Sequence, residues 1–285
     1  MLVLGLGPYF AMIAVNRIED KAVKNDNQVS HGQPLGFRLQ YRAAHVVRVL
    51  KEVWYHLVRV PFDRVVWVLW RQGWGVPLAS LSRRNAFRAF GDATELWVDP
   101  QSLEQVVSVK EAGFPKRDFI SSRDWDLRGR GIGYNERYVM LADLWAHRSD
   151  LRSSNTFKDY QRRMQVGRPV RTINKLIYLN SDETILEYLR EQLLLLDSVS
   201  ESGVIKGTTA DDIKVAVDRQ GRLVKVNGGR KRTAAAIIVG APALPVRVCH
   251  IHEQYLKKFM SKPKEREKAV RKVLDDLYSR YGVDL

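Results

Sequence analysis

A single cysteine, Cys249, stands in 285 residues, so no intrachain disulfide can form and no cysteine-cluster zinc site can be built. Long apolar runs are also missing. A spanning helix needs roughly 20 apolar residues, and charges interrupt every window of that length. The uncharged stretch from Met1 to Val15 is broken by Gly5, Gly7 and Pro8, and its first charge, Arg17, comes after it rather than before, unlike a secretory signal. That stretch is expected to be a poorly ordered start, or an element docked on the body, with an export signal as the alternative. Acidic residues are scarce: 32 Asp and Glu against 47 Lys and Arg leave a formal charge of +15. Such a balance favours anionic partners, whether nucleic acid, phosphate or acidic lipid, without choosing among them. With 45% apolar and 28% charged residues, the chain is neither collagen-like nor disordered, and it can bury a core. No internal repeat or low-complexity tract interrupts it.

Four segments follow from the texture. Residues 1–37 form the start segment and a linker rich in Asn, Gln, Gly and Pro. Residues 38–92 read as a basic helical region. Within it Val46, Val47, Leu50, Val53, Trp54, Leu57 and Val58 follow the spacing of an amphipathic helix that Pro61 breaks. Val65 to Trp70 adds a second apolar stretch. From Gly36 to Phe90 ten Lys and Arg face two acids, Glu52 and Asp63. This region is a candidate surface for nucleic acid or for an anionic membrane; its plainer reading is a helical pair packed on the domain behind it. An α/β (α+β) domain with a small mixed sheet is expected over 93–253, and a C-terminal helix over 254–285, centred on Lys264 to Tyr281.

Inside the domain, Glu95 to Pro100 reads as a short strand, with Asp99 or Ser102 capping a helix over Leu103 to Lys110. Phe119 to Ser154 is expected to be irregular. The glycines at 129, 131 and 133 read there as a mobile loop, or alternatively as a cover for a phosphate. Phe157 to Met164 and Ile185 to Leu196 are predicted helices. Ile213, Val215 and Val217 alternate with Lys214 and Ala216 as a half-buried strand. A turn at Asp218 to Gly221 follows, with glycine where positive φ is useful, and Leu223, Val224 and Val226 return. Ala234 to Val239 forms a helix that Gly240 stops, and Val246 to Cys249 a further strand.

The chemistry concentrates at Gly228, Gly229, Arg230, Lys231, Arg232 and Thr233. Two glycines leading into a helix allow close backbone approach, and the first-turn N–H groups with three cations and a hydroxyl suit a phosphate. The spacing is not that of a Walker P-loop, and a tight turn with solvated basic residues is the plainer alternative. Asp124 and Asp126, flanking Trp125, could hold Mg²⁺ beside a phosphate or supply a base; equally they could partner Arg123 and Arg128. His250 and His252 fall on one side of a strand, where they could meet substrate or phosphate, a packing or surface role being the plainer reading, while Cys249 points into the core.

The run IKVAVDRQGRLVKVNGGRKRTAAAIIVGAPALPVRV resembles the G-x-x-R box region of the ParB/sulfiredoxin-like superfamily. ELWVDPQSL is similar to that family's entry strand, LDSVSESG to its short helix before the strand pair, and RDWD (Arg123 to Asp126) to a Gly-Asp-Trp-Asp element. The resemblance covers roughly Glu95 to His252. It implies that Gly229 and Arg232 sit at a nucleotide phosphate, with ATP or CTP and Mg²⁺ as cofactors and a kinase-like phosphotransferase or NTPase as the activity. Asp99, Glu104, Asp124 and Asp126 are then the candidate bases. Lys231 or Arg230 stands where sulfiredoxins carry their reactive cysteine, so that chemistry is not expected. Only 33 residues follow His252, too few for a partition-type helix-turn-helix domain. The alternative is a non-catalytic protein that meets nucleic acid or a membrane through residues 38–90. Either reading suits a cytoplasmic protein, the last one a protein peripheral to a membrane.

Overall fold

The computed structural model describes residue 54 and residues 60–108, 117–172, 177–204, 212–226 and 228–283. The expected start segment, linker and amphipathic helix of 43–58 therefore lie outside the described residues, Trp54 excepted. The chain divides into two units, Met1–Leu69 and Trp70–Leu285. The division falls within α1 (Val60–Gln72), which takes up the second apolar stretch. Pro61 sits in its first turn, where a missing N–H leaves no helical bond unmade.

The second unit is built on a seven-stranded mixed sheet. Its strands are β1 (Glu95–Val98), β2 (Gln105–Val106), β3 (Ile120–Ser121), β4 (Arg130–Gly131), β5 (Ile213–Val217), β6 (Leu223–Lys225) and β7 (Leu244–His252). The order is β1-β7-β5-β6-β2-β4, with β3 pairing the far part of β7. β7 runs parallel to β5 and antiparallel to β1, and β5 and β6 form the expected hairpin. The α-helices of this unit are α2 (Arg83–Phe90), α3 (Glu136–Ala146), α4 (Asn155–Gln165), α5 (Asp182–Ser202), α6 (Arg230–Val239), α7 (Glu253–Lys257) and α8 (Arg266–Tyr281). The mixed α/β class and the C-terminal helix are as the sequence indicates.

α3, α5 and α6 pack on one another, and α6 also touches β5. Ala234, Ala235 and Ala236 are buried there, their small side chains letting α6 lie close to its neighbours. α8 packs on β1 and α7, burying Ala269, Val270, Val273, Leu274 and Leu277, the apolar face legible in the sequence. The Val283 N–H donates to Trp97 O (2.8 Å) and ties the end of α8 to β1.

Several expectations change. No helix begins at Leu103: Asp99 accepts from Gln101 N (2.9 Å) and caps a 3-10 turn, Pro100–Ser102. The chain then enters β2, parallel to β6, with Val107 N donating to Lys225 O (2.8 Å). Sheet pairing wins because Leu103 and Val107 both reach the core from this extended path. The glycine run is not a loose loop at Arg130–Gly131, which pairs with β2 as β4. The segment expected to be irregular contains α3, started by Asn135, whose side chain accepts from Arg137 N (3.0 Å). Helix 185–196 and the short helix after it are one 21-residue helix, α5, opened by a Ser181–Thr184 capping box. β5 is buried rather than half-buried, since β6 and β7 flank it and only Lys214 keeps part of its surface. A bulge at Cys249 interrupts the pairing of β7 with β5: Val215 faces Val248, and Ala216 faces His250. Cys249 is buried as expected.

Candidate phosphate site

The hairpin fixes where the site falls. Asp218 accepts from Gln220 N (2.9 Å), Arg222 N (2.8 Å) and Arg222 Nε (2.7 Å), which closes the turn. Gly221 takes φ +90°, and a Cβ there would lie 2.3 Å from the Tyr255 ring. β6 then runs back to the start of β5, where Gly228 (φ +87°) and Gly229 (φ +63°) open α6. Both glycines are forced twice over. Each has a φ that L side chains rarely adopt; a Cβ on Gly228 would meet Asp212 O at 2.9 Å, and one on Gly229 would meet Ile213 Cγ1 at 2.5 Å. The N-cap of α6, Gly229, makes no side-chain cap bond, and the backbone N–H groups and positive dipole at such a helix end favour an anion.

The six residues singled out in the sequence separate here. Arg232 lines a small, shallow cleft together with Glu95, Trp97, Asp212 and Arg247. In it Arg247 bridges two carboxylates, Glu95 and Asp212, the latter at 2.5 Å. Arg230 is exposed beside the turn. Lys231 turns the other way, donating to Gln192 Oε1 on α5 (2.6 Å); burial, with Arg137 nearby, lowers its pKa. Thr233 is buried, and its hydroxyl donates back to Gly229 O (3.1 Å), so it serves the helix.

A residue the sequence reading passed over lies beneath the turn. Lys225 is 1% exposed. Its Nζ donates to the carbonyls of Lys214 (3.2 Å), Val226 and Gly228. Burial pulls its pKa down to about 7. In the sequence it looks like an ordinary polar position of a hairpin strand. The one signal was a lysine inside the run Leu223 to Val226 on a strand flanked by others.

Asp124, Asp126 and His252 gather at the other end of β5, around Arg219 of the hairpin turn. Arg219 Nε lies 2.7 Å from Asp126 Oδ2, and Nη2 lies 2.7 Å from Asp126 Oδ1 and 2.6 Å from Asp124 Oδ1. The Arg219 N–H adds a bond to Asp126 Oδ2 (3.2 Å). Burial acts to raise the Asp126 pKa, but the bonds from Arg219 and the charge of the histidine outweigh it and hold it low. His252 Nδ1 accepts from Gln254 N (3.1 Å), which leaves Nε2–H for Arg123 O (3.2 Å), 3.8 Å from Asp126 Oδ1. Burial lowers the His252 pKa, and the ring packs at 5.9 Å from buried Trp125. His250 is buried elsewhere, near Asp118 and Arg83, with its pKa well below the usual histidine value, chiefly through burial.

These placements decide what can act together. β5 spans about 13 Å between its ends at ~3.3 Å per residue, with Gly228–Gly229 at its start and Arg219 beyond its finish. Asp124 and Asp126 thus do not join the turn at α6. Their oxygens already face a guanidinium, so the pair as arranged does not fit Mg²⁺, and no three His, Cys, Asp or Glu among the described residues cluster as metal ligands. Both histidines are buried, and neither lines the cleft. Asp99 is a cap, and Glu104 lines a separate groove with Arg222 and Tyr281.

The chain is a mixed α/β protein with a glycine-led helix N-terminus beside a cleft lined by two arginines and two carboxylates. No family profile, curated protein or solved structure matches it.

Proposed function

We propose that this protein binds the phosphate groups of a nucleotide at the N-terminus of α6. The observation that carries the reading is the Gly228–Gly229 turn, forced by positive φ and by contact with Asp212 and Ile213. It opens a helix with a glycine N-cap whose Arg232 lines the neighbouring cleft. The first-turn N–H groups would hold phosphate oxygens, Arg232 would neutralise their charge and Arg230 would draw the anion in. The resemblance of residues 213–248 to the ParB/sulfiredoxin-like superfamily points to the same turn. Binding is the function the geometry favours over phosphoryl transfer, because Asp124 and Asp126 stand at the other end of β5, held by Arg219. The test is a thermal-shift panel of ATP, CTP, GTP and ADP on wild type and Arg232→Ala, since a ligand of the native state raises Tm by mass action. A shift lost in the variant supports the reading; no shift with any nucleotide well above millimolar concentration overturns it.

A second reading rests on α1. Phe62, Val65 and Val68 are exposed on it, and Arg64 is exposed on the same helix. An apolar strip edged by arginine suits the headgroup region of an anionic membrane. Co-sedimentation with vesicles containing phosphatidylserine, but not with neutral ones, and its loss in Phe62→Ser/Val65→Ser, would support it. Equal recovery with both vesicle types would dismiss it.

A further inference from the structure

Lys225 has no part in the phosphate reading as stated, yet it is the most enclosed cation among the described residues and it touches the turn. Its three ammonium hydrogens meet three carbonyls, those of Lys214 on β5, Val226 and Gly228. Only the protonated amine can fill all three. The carbonyl and N–H of one trans peptide point in opposite directions. Fixing Gly228 O on Lys225 therefore aims the Gly229 N–H away from Lys225, toward the outer side of the turn.

We propose that Lys225 is a positioning residue of the phosphate site, its ammonium fastening the backbone that enters α6 and, while protonated, placing a positive charge beneath the bound anion. The inference rests on the phosphate reading of that turn and adds a regulatory property to it, dependence on pH. The groups facing Lys225 are Arg230 and Arg232 of α6, Lys214 of β5 and Cys249 of β7. Burial and the three cations press it toward the neutral amine, and Cys249 opposes them; the resulting pKa is about 7. A bound phosphate adds negative charge nearby and favours the ammonium. By reciprocity, phosphate binding must take up a proton and protonation must tighten phosphate binding. Affinity then falls as pH rises through the Lys225 pKa.

The experiment is calorimetric titration of the full chain with ATP near pH 8, in two buffers of different ionisation enthalpy. A series between about pH 7.5 and 9.5 follows, where the ATP phosphates are already fully ionised. Wild type is expected to take up a fraction of a proton on binding and to lose roughly an order of magnitude in affinity across the series. Lys225→Met is expected to bind more weakly, with no proton uptake and little dependence on pH. ATP binding by wild type without proton uptake and with flat affinity overturns the role of Lys225 alone, as does uptake that persists in Lys225→Met. No ATP binding by wild type overturns the phosphate reading itself and this inference with it. Should Lys225→Met fail to fold, the wild-type proton uptake decides the matter.

Discussion

Arg219 at the finish of β5 and Arg232 beside its start are put to different uses. Arg219 meets Asp124 and Asp126, and Asp126 in turn stands near His252, whose ring packs at a tilt against Trp125. Every strong charge there has a partner within the fold, so the cluster joins the hairpin to the 124–126 turn. At the start of β5 the backbone is arranged differently. Two glycines press against Asp212 and Ile213, a helix begins on a glycine N-cap, and Arg232 lines a cleft. A carboxylate pair satisfied by a guanidinium stabilises structure, whereas a glycine-led helix N-terminus is suited to an anionic ligand. The chain thus separates the residues that hold it together from those suited to binding, although both kinds look alike in the sequence.

The sharpest way to break this comparison is to damage the Arg219 end. Trp125 is wholly buried with Val107, Ala216, Val224 and Val226. Trp125→Ala is expected to cost about 3–5 kcal/mol in urea denaturation while leaving ATP affinity of the folded protein unchanged. A matching loss of affinity would mean that the two ends are coupled. At the other end, Arg232→Ala is expected to weaken ATP about tenfold to a hundredfold, the worth of a charge-assisted hydrogen bond, with the urea midpoint nearly unmoved.

Acid should act on the buried histidines first. His250 and His252 have lowered pKa values in the folded protein, so below about pH 6.5 the unfolded chain binds protons that the folded one does not. Stability is therefore fully present above that pH and falls as the pH drops below it. Asp126, with its lowered pKa, adds a further loss at still lower pH. Urea midpoints between about pH 7 and pH 5 check the sign, and a midpoint that rose on acidification would contradict neutral histidines.

The smallest expected effect sharpens the contrast between the two ends of α6. Gly240 has φ +70° but open space around it, so Gly240→Ala should cost about 1 kcal/mol of strain and leave binding intact. Gly229→Ala adds the collision with Ile213; it should cost more and lose ATP binding as well.

What the sequence revealed is what local chemistry controls. The 213–252 order of hairpin, glycine turn, helix and strand was legible because alternation, turn glycines and an alanine-rich helix agree there. Leu103 to Lys110 misled because a short apolar segment pairs with β6 or coils according to tertiary contacts that its own residues do not encode. α3 was hidden because three glycines precede it and its buried stripe is only Met140, Leu141 and Leu144. At the site, Gly228, Gly229 and Arg232 were readable from the turn. Sequence alone could not show that Lys231 turns to Gln192, that Asp124 and Asp126 belong to Arg219, or that Lys225 lies under the glycines. Each of these depends on a partner many residues away or on the depth of a strand within the sheet.

The most direct measurement follows backbone amide resonances while ATP is added to the labelled protein. The largest shifts are expected at Gly229, Arg230, Lys231 and Arg232, with the Arg219 side chain unmoved. No shift at millimolar ATP, or shifts centred on Arg219 and Asp126, would contradict a phosphate site at the start of α6.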